Sequence, residues 1–306
     1  MDDGLIELTN GLQFPEGPIA RPDGSVIFVE IARGTLSQWH PQTGYSVIAD
    51  LGGGPNGAAI GPDGGVYVCN NGGFSWLDGA DLMMPIGPAT DYKSGSIQRV
   101  DLSTGEVATL YTHVGENALS GPNDIVFDRN GGMWFTDLGQ VRARDVNHGG
   151  VYYAKADGSA IHEVVHPMHS PNGIGLSADE KTLYVAQTVP RLLTRFEITG
   201  PGEVAPTTGL NPGTAVGAQA PEHLLDSLAL QSDGAICVGT IGTGGISTFD
   251  AASGDIIFTP MPDMAATNIC FGGPDFKTAY ITCSTTGTLI SMPWPVAGHT
   301  LNFYDA

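Results

Sequence analysis

Positively charged side chains are scarce in this sequence: 12 Lys and Arg stand against 32 Asp and Glu, a formal charge of −20. A surface of that sign repels phosphate before any specific contact forms, which argues against nucleic acid and anionic membrane as partners. A neutral or cationic small molecule suits it better, although a bound cation can reverse the field locally. No stretch reaches the ~18 consecutive apolar residues that cross a bilayer as a helix. The opening residues, MDDGLIELTN, have neither a basic segment nor an apolar one, so the reading is a cytoplasmic protein, monomeric or weakly self-associating. The four cysteines, Cys69, Cys237, Cys270 and Cys283, include no CxxC pair and mostly sit in apolar runs, so buried free thiols are expected rather than bridges.

Gly and Pro are abundant, at 44 and 21 residues, and this favours many short strands joined by tight turns over long charged helices. A repeat then organises the chain. Six segments share one register: EGPIARPDGSVIFVE from Glu16, NGAAIGPDGGVYVCN from Asn56, NDIVFDRNGGMWFTD from Asn123, NGIGLSADEKTLYVA from Asn172, DSLALQSDGAICVGT from Asp226 and NICFGGPDFKTAYIT from Asn268. Each opens on a carboxylate or an amide, and seven positions later stands a turn former: Asp23, Asp63, Asn130, Asp179, Asp233 or Asp275. Asp-Gly and Asn-Gly between β-prone segments mark hairpins. A third strand follows each hairpin, from Gly34, Gly95, Gly150, Leu192, Gly245 and Gly287, and usually a fourth. The expectation is an all-β protein, a single six-bladed β-propeller of four-stranded antiparallel blades over residues 1–306, because radial closure protects strand edges.

In such a blade the first strand lines the channel, so the six opening residues must converge at one end of the axis. The ring would hold Glu16, Asn56, Asn123, Asn172, Asp226 and Asn268, two acids and four amides with no cation among them. Crowded carboxylates repel unless something positive sits between them. All-oxygen donors suit a hard cation, so one divalent metal is expected, Ca²⁺ first, with Zn²⁺, Mn²⁺, Mg²⁺ and Fe²⁺ as alternatives. Asn56 and Asn268 are assigned to outer or structural contacts around it.

The motifs EGP at Glu16, GPND ending in Asp124, SPNGIGLS around Asn172 and DSLAL at Asp226 resemble the gluconolactonase family, which includes regucalcin and luciferin-regenerating enzyme. The resemblance runs essentially end to end. It implies a six-bladed propeller, one catalytic divalent metal and lactone hydrolysis, with diisopropylfluorophosphatase as a more distant relative. Carried onto this chain, it implies Glu16, Asn172 and Asp226 as metal ligands, Asn123 as an amide on metal or substrate, and Asp226 as base or nucleophile. The catalytic set is therefore Asp226, Glu16 and Asn123. Two residues before Asn123, where animal members carry a substrate-binding arginine, this chain has Gly121, which puts sugar-acid specificity in doubt.

Second-to-third strand connections lie on the same face as the ring. Most are short, but Gly95 lies 39 residues after Asn56 where Gly34, Gly245 and Gly287 lie 18 or 19 after their anchors. The insert, about residues 72–94, is read as an active-site lid bringing Phe74, Trp76, Met83, Met84 and Tyr92 to an apolar rim. A shorter third-blade insert supplies Asp137, Gln140, Arg142, Arg144 and His148 as replacements for the missing arginine. Substrate contacts are assigned to Asn123, Trp76, Met84, Arg142, Arg144 and His148. His162, His166, His169 and His223 lack chelate spacing and are read as packing residues. The function expected is metal-dependent opening of a small sugar or hydroxy-acid lactone. The alternatives are a phosphotriesterase or other esterase on the same metal site, a non-catalytic calcium-binding propeller, and a strictosidine-synthase-like propeller without the full metal set.

Overall fold

The computed structural model of the protein describes residues 4–79, 82–206 and 212–306, and among these the chain is all-β with no helix. Among the described residues no helix is long and apolar enough to cross a membrane. The strands assemble in four-stranded antiparallel units in sequence order. The first is Pro15–Ala20, Val26–Glu30, Thr35–His40 and Gly44–Asp50. The second is Pro55–Ile60, Val66–Asn70, Ser96–Val100 and Val107–Tyr111, and the third Pro122–Phe127, Gly132–Asp137, Gly149–Lys155 and Ile161–Met168. The fourth is Pro171–Leu176, Thr182–Gln187 and Leu192–Gly200, with Glu203–Val204 and Thr214–Ala218 both on its outer edge. The stretch 200–221 thus contributes two edge strands from its described residues; residues 207–211 lie outside them.

The fifth unit is His223–Leu230, Ile236–Gly242, Gly245–Phe249 and Ile256–Pro260. The sixth is Ala265–Gly272, Thr278–Cys283 and Thr288–Pro293, completed by Ile6–Thr9 from the other end of the chain. Short pairing of Thr240 with Ala266 and Ile241 with Ala265 joins these last two into one eight-stranded sheet. The first strand of each unit packs against the first strand of the next, and Ala265–Gly272 packs back on Pro15–Ala20. Six apolar clusters follow the same circuit, one between each pair of neighbours: Val29 with Val66, Cys69 with Phe135, Trp134 with Val185, Leu193 with Val238, Ile246 with Ile281, and Phe28 with Leu289 fall in the successive clusters. Burial of these β-branched and aromatic faces is what holds the units edge to edge.

Each hairpin turn is where the repeat places it. Asp23, Asp63, Asp179, Asp233 and Asp275 each accept the backbone amide two residues on, at 2.9–3.1 Å. The third unit differs: Asp128, rather than Asn130, accepts the Asn130 and Gly132 amides. Positive φ falls on the following residue, which is Gly in four units but Glu180 and Phe276 in the other two.

The anchors sit at irregularities in the ladder. In all six units the register between first and second strands shifts at or beside the anchor, between Glu16 and Ile19, Pro55 and Ala58, Pro122 and Ile125, Pro171 and Ile174, Leu225 and Leu228, and Ala266 and Asn268. A bulge turns a side chain out of the strict in–out alternation, so the anchor can point along the strand toward the axis. Proline precedes the anchor in four units, a position where the ladder asks for no amide. The next residue is Gly17, Gly57 or Gly173 in three units, and a Cβ there would come within 2.7, 2.4 and 2.7 Å of the carbonyls of Asn56, Asn123 and Asp226. Each of these glycines lets its unit lie directly on the next anchor.

The end of the channel opposite the anchors is crossed by residues 298–306. Gly298 bridges Gln231, Asn302 Nδ2 donates to Phe127 O and Glu180 Oε1, Phe303 meets Phe127 edge-on, and Tyr304 packs on Phe276. His299, Leu301, Asn302 and Tyr304 floor a cavity of about 100 Å³ whose upper wall includes Asp124 and Asn268. All four cysteines are free and buried.

Two glycine substitutions separate hub packing from turn strain. Gly57→Ala forces a backbone overlap at Asn123 and is expected to cost about 3 kcal/mol or more. Gly234→Ala meets nothing within 4 Å but keeps φ near +92°, and about 1 kcal/mol is expected. Chemical denaturation of the two variants beside the parent checks the order.

Candidate functional site

The converging first strands bring all six anchors into the interior. Glu16, Asn123, Asn172, Asn268, Asn56 and Asp226 are each at most 9% exposed, so bulk water is in no position to screen their charges. Glu16 Oε2 accepts the Gly17 amide at 2.6 Å and Asn268 Nδ2 at 2.8 Å, while Asn268 Oδ1 is taken by the Ile269 amide. Asn268 therefore orients the Glu16 carboxylate. Asn172 Nδ2 donates to Thr188 Oγ1 at 3.1 Å, leaving its Oδ1 only a long contact of 3.5 Å from Ser227 Oγ. Asn123 Oδ1 is buried and has no hydrogen-bond partner. Asn56 is buried at its place in the ring.

A third acid joins the two expected ones. Asp124 follows Asn123, and strict strand alternation would send its side chain away from the axis; the register shift between Pro122 and Ile125 removes that alternation. Its carboxylate accepts the amides of Ile125 at 2.9 Å and Ile174 at 3.4 Å and lines the channel just inside the ring. Burial, with the Glu16 charge behind it, pushes Asp124 up to about 8. Burial likewise raises Glu16 to about 7, against the Asn268 and Gly17 hydrogen bonds. Asp226 is raised well above the ordinary carboxylate range by burial and then by the Glu16 charge, with the Asn172 amide opposing. The only charged groups that move these three are one another, and no lysine or arginine contributes.

Such a hub fits a divalent cation on the protein's own chemistry. It has buried acids held above neutral-solution values, an unpaired amide oxygen at Asn123, and a free face on the Asn172 oxygen. A positive ion would satisfy all of these at once. Among the described residues no three His, Cys, Asp or Glu side chains group as a chelate of their own, so a cation here would need amide oxygens beside the acids. That composition suits a hard cation better than zinc.

Loops around the ring are tied down by polar residues ending the second strands, a role that sequence reasoning gave to none of them. Glu30 accepts Gln13 N, Arg33 Nε, Ser37 Oγ and Tyr45 OH. Asn70 Oδ1 accepts Gly54 N and Gly72 N, and Asp137 accepts Ser120 N, Gly121 N and Gly139 N. Each stands fourteen residues after its anchor, so the repeat did carry the signal. Asp137, offered as a substrate contact, is thereby committed to backbone, and Gln140 is buried between Asn71 O and Ser120 O.

The long second-unit insert forms an antiparallel hairpin, Phe74–Gly79 with Leu82–Pro88, apart from residues 80–81, which lie outside the described residues. It leans across the anchor face. Trp76 packs on Phe14, two residues before Glu16, with ring centroids 5.1 Å apart, and on Phe74 at 5.8 Å. The Met83 amide reaches Thr285 O, and Tyr92 OH donates to Ser120 O. Met84 points outward and is 38% exposed. Arg142, Arg144 and His148 are exposed; Arg142 pairs with Asp145, and the His148 ring meets His169 edge-on at 4.9 Å. The structure does not gather these three with the anchors. His162 bonds Gly202 O, His166 lies 3.9 Å from Glu163, and His223 meets Phe258 edge-on with its Nδ1 buried and unpaired.

Known proteins are similar to this chain. Residues 14–285 match the SMP-30/Gluconolactonase/LRE-like region. The lactonase drp35 of Staphylococcus saprophyticus is 29% identical over 82% of this chain and 71% of its own length. The gluconolactonase of Zymomonas mobilis is 24% identical over 59% of this chain, which spans about half the length of that relative. The crystal structure of a calcium-binding protein, regucalcin, from Agrobacterium tumefaciens superposes with a TM-score of 0.75 at 19% identity, covering 98% of this chain and 97% of that one. The register of the anchors, the ring they form and the match over residues 14–285 agree: the chain belongs to the SMP-30/gluconolactonase/LRE-like family.

Proposed function

We propose that this chain is a six-bladed propeller that opens a small lactone, using one divalent cation, calcium first, held by Glu16, Asn123, Asn172 and Asp226. The observation that carries the reading is a buried ring of acids and amide oxygens with no counter-charge. Membership of the family supports the reaction class, and the circuit of six inner strands and six apolar clusters supports the blade count.

When bound there, the cation supplies Lewis-acid polarisation of the lactone carbonyl and lowers the cost of the negative charge that builds on its oxygen. The chain supplies position and proton transfer. Asn123 and Asn172, fixed on bulged strands, present amide oxygens to the ring's centre. Glu16 is oriented by Asn268 and the Gly17 amide. Asp226, facing the same space, takes the proton from the attacking water as the C–O bond forms. It returns that proton to the ring oxygen as the ester C–O bond breaks, so the product is a hydroxy acid. The hairpin 74–88, anchored by Trp76 on Phe14, serves as a lid that keeps bulk water from the mouth.

Asp226→Asn and Glu16→Gln are each expected to lower kcat on a lactone about a hundredfold to ten-thousandfold. Elemental analysis should show less than one equivalent of divalent metal retained per chain. Turnover equal to the parent in both variants removes the assigned site.

Chelation gives a second test through stability. In the metal-free protein Glu16 holds its proton up to about pH 7, whereas the unfolded chain releases it near 4.5. The raised native value means that the stability contributed by this one group is full below about pH 4.5 and falls by a few kcal/mol as pH climbs to about 7. Added Ca²⁺ should restore stability increasingly toward the upper end of that range, because it competes with protons for the same oxygens. Melting curves across pH with chelator and with calcium check both slopes.

A further inference from the structure

The hairpin of the second unit, Phe74–Gly79 with Leu82–Pro88, reaches two other units, and each contact falls beside the same anchor. In the first unit the Trp76 ring lies on Phe14, with centroids 5.1 Å apart; in the sixth the Met83 amide donates to Thr285 O at 3.2 Å. Phe14 stands two residues before Glu16. Ser284, the neighbour of Thr285, donates its hydroxyl to Pro15 O at 2.6 Å, one residue before Glu16. The hairpin thus clasps the Glu16 corner of the ring from both sides.

The two docking points differ in stiffness. Thr285 and Thr286 are tied to the buried carboxylate of Asp263, which accepts both hydroxyls and the Thr286 amide, so the sixth-unit side is fixed. Phe14 holds a left-handed backbone, φ 58°, a conformation that a non-glycine residue keeps only where its surroundings enforce it. The same turn recurs before Asn172, where Ser170 has φ 41° and its own hydroxyl accepts the Val189 amide at 2.9 Å. Phe14 has no such group. Its carbonyl accepts the Ile31 amide, and its ring rests on Trp76. Lifting Trp76 away leaves that ring unsupported and lets φ relax, which turns the peptide that leads through Pro15 into Glu16.

We propose that docking of the 74–88 hairpin and cation binding at the anchor ring are coupled, with Trp76, acting through Phe14, a positioning residue for Glu16. This rests on the cation reading above and gives a part in the site to the second unit, which supplies none of the four proposed ligands. The coupling is reciprocal: the docked hairpin holds Glu16 ready, and a cation that fixes Glu16 holds Phe14 in the conformation on which Trp76 docks.

Two readouts test it, neither of them turnover. In calorimetric titration of the metal-free full chain with Ca²⁺, Trp76→Ala should weaken binding about three- to tenfold, and Trp76→Phe should recover most of the loss, because an aromatic pair is what is removed and restored. In hydrogen exchange on the parent, Ca²⁺ should slow the Met83 amide, which lies at the other docking point, and in Trp76→Ala that slowing should be lost. Equal affinity in the parent and Trp76→Ala, or a Met83 amide indifferent to Ca²⁺ in the parent, overturns the coupling and leaves the cation site standing. A parent that takes up no Ca²⁺ overturns the calcium reading itself.

Discussion

Mutual repulsion among Glu16, Asp124 and Asp226 is the constraint around which the molecule is arranged. Three carboxyl groups are buried near one axis, each shifted upward by burial, and Asp124 and Asp226 further by the Glu16 charge. Among the described residues no basic side chain neutralises them. Their cost is tolerated because the surrounding six apolar clusters and the strand ladders hold the anchors where they are, and because backbone amides of Gly17, Ile125 and Ile174 take part of the charge. On the function proposed above, the arrangement trades stability for a preformed cation site, the exchange expected where a functional group must be in place before its ligand arrives.

Much of this is legible in the sequence because it is written six times. A single Asn before Gly says only that a turn is near. The spacing of seven from Glu16 to Asp23, repeated from Asn56 to Asp63 and onward, ties the anchor to a hairpin and so to the start of a first strand. Closure then follows from geometry, and with it the meeting of residues more than two hundred positions apart, such as Glu16 and Asn268. Regularity also explains Glu30, Asn70 and Asp137, whose shared offset from the anchors marks them as loop fasteners once one of them is seen.

What the sequence hides is whatever breaks the repeat. Asp124 is masked by the rule that neighbours on a strand face opposite ways, a rule that the bulge at Pro122–Ile125 suspends. Phe14 reads as a core residue before a strand, yet its positive φ of 58° turns the ring onto Trp76 of a different unit. The strand Ile6–Thr9, too short and too polar to stand out, completes the sixth unit only because the first and last parts of the chain meet. Arg142, Arg144 and His148 carry suitable chemistry, but residue type alone does not tell an exposed insert from a pocket wall.

The crossing of the far end of the channel by residues 298–306 bears on traffic. With that exit occupied by Phe303 and Tyr304, arrival and departure share one doorway. A neutral lactone enters it without electrostatic hindrance, whereas the ring-opened product leaves as an anion from a chain of net charge −20. Like charge then favours departure of the product from the doorway the next molecule must use, so the acidity of the chain helps to clear it.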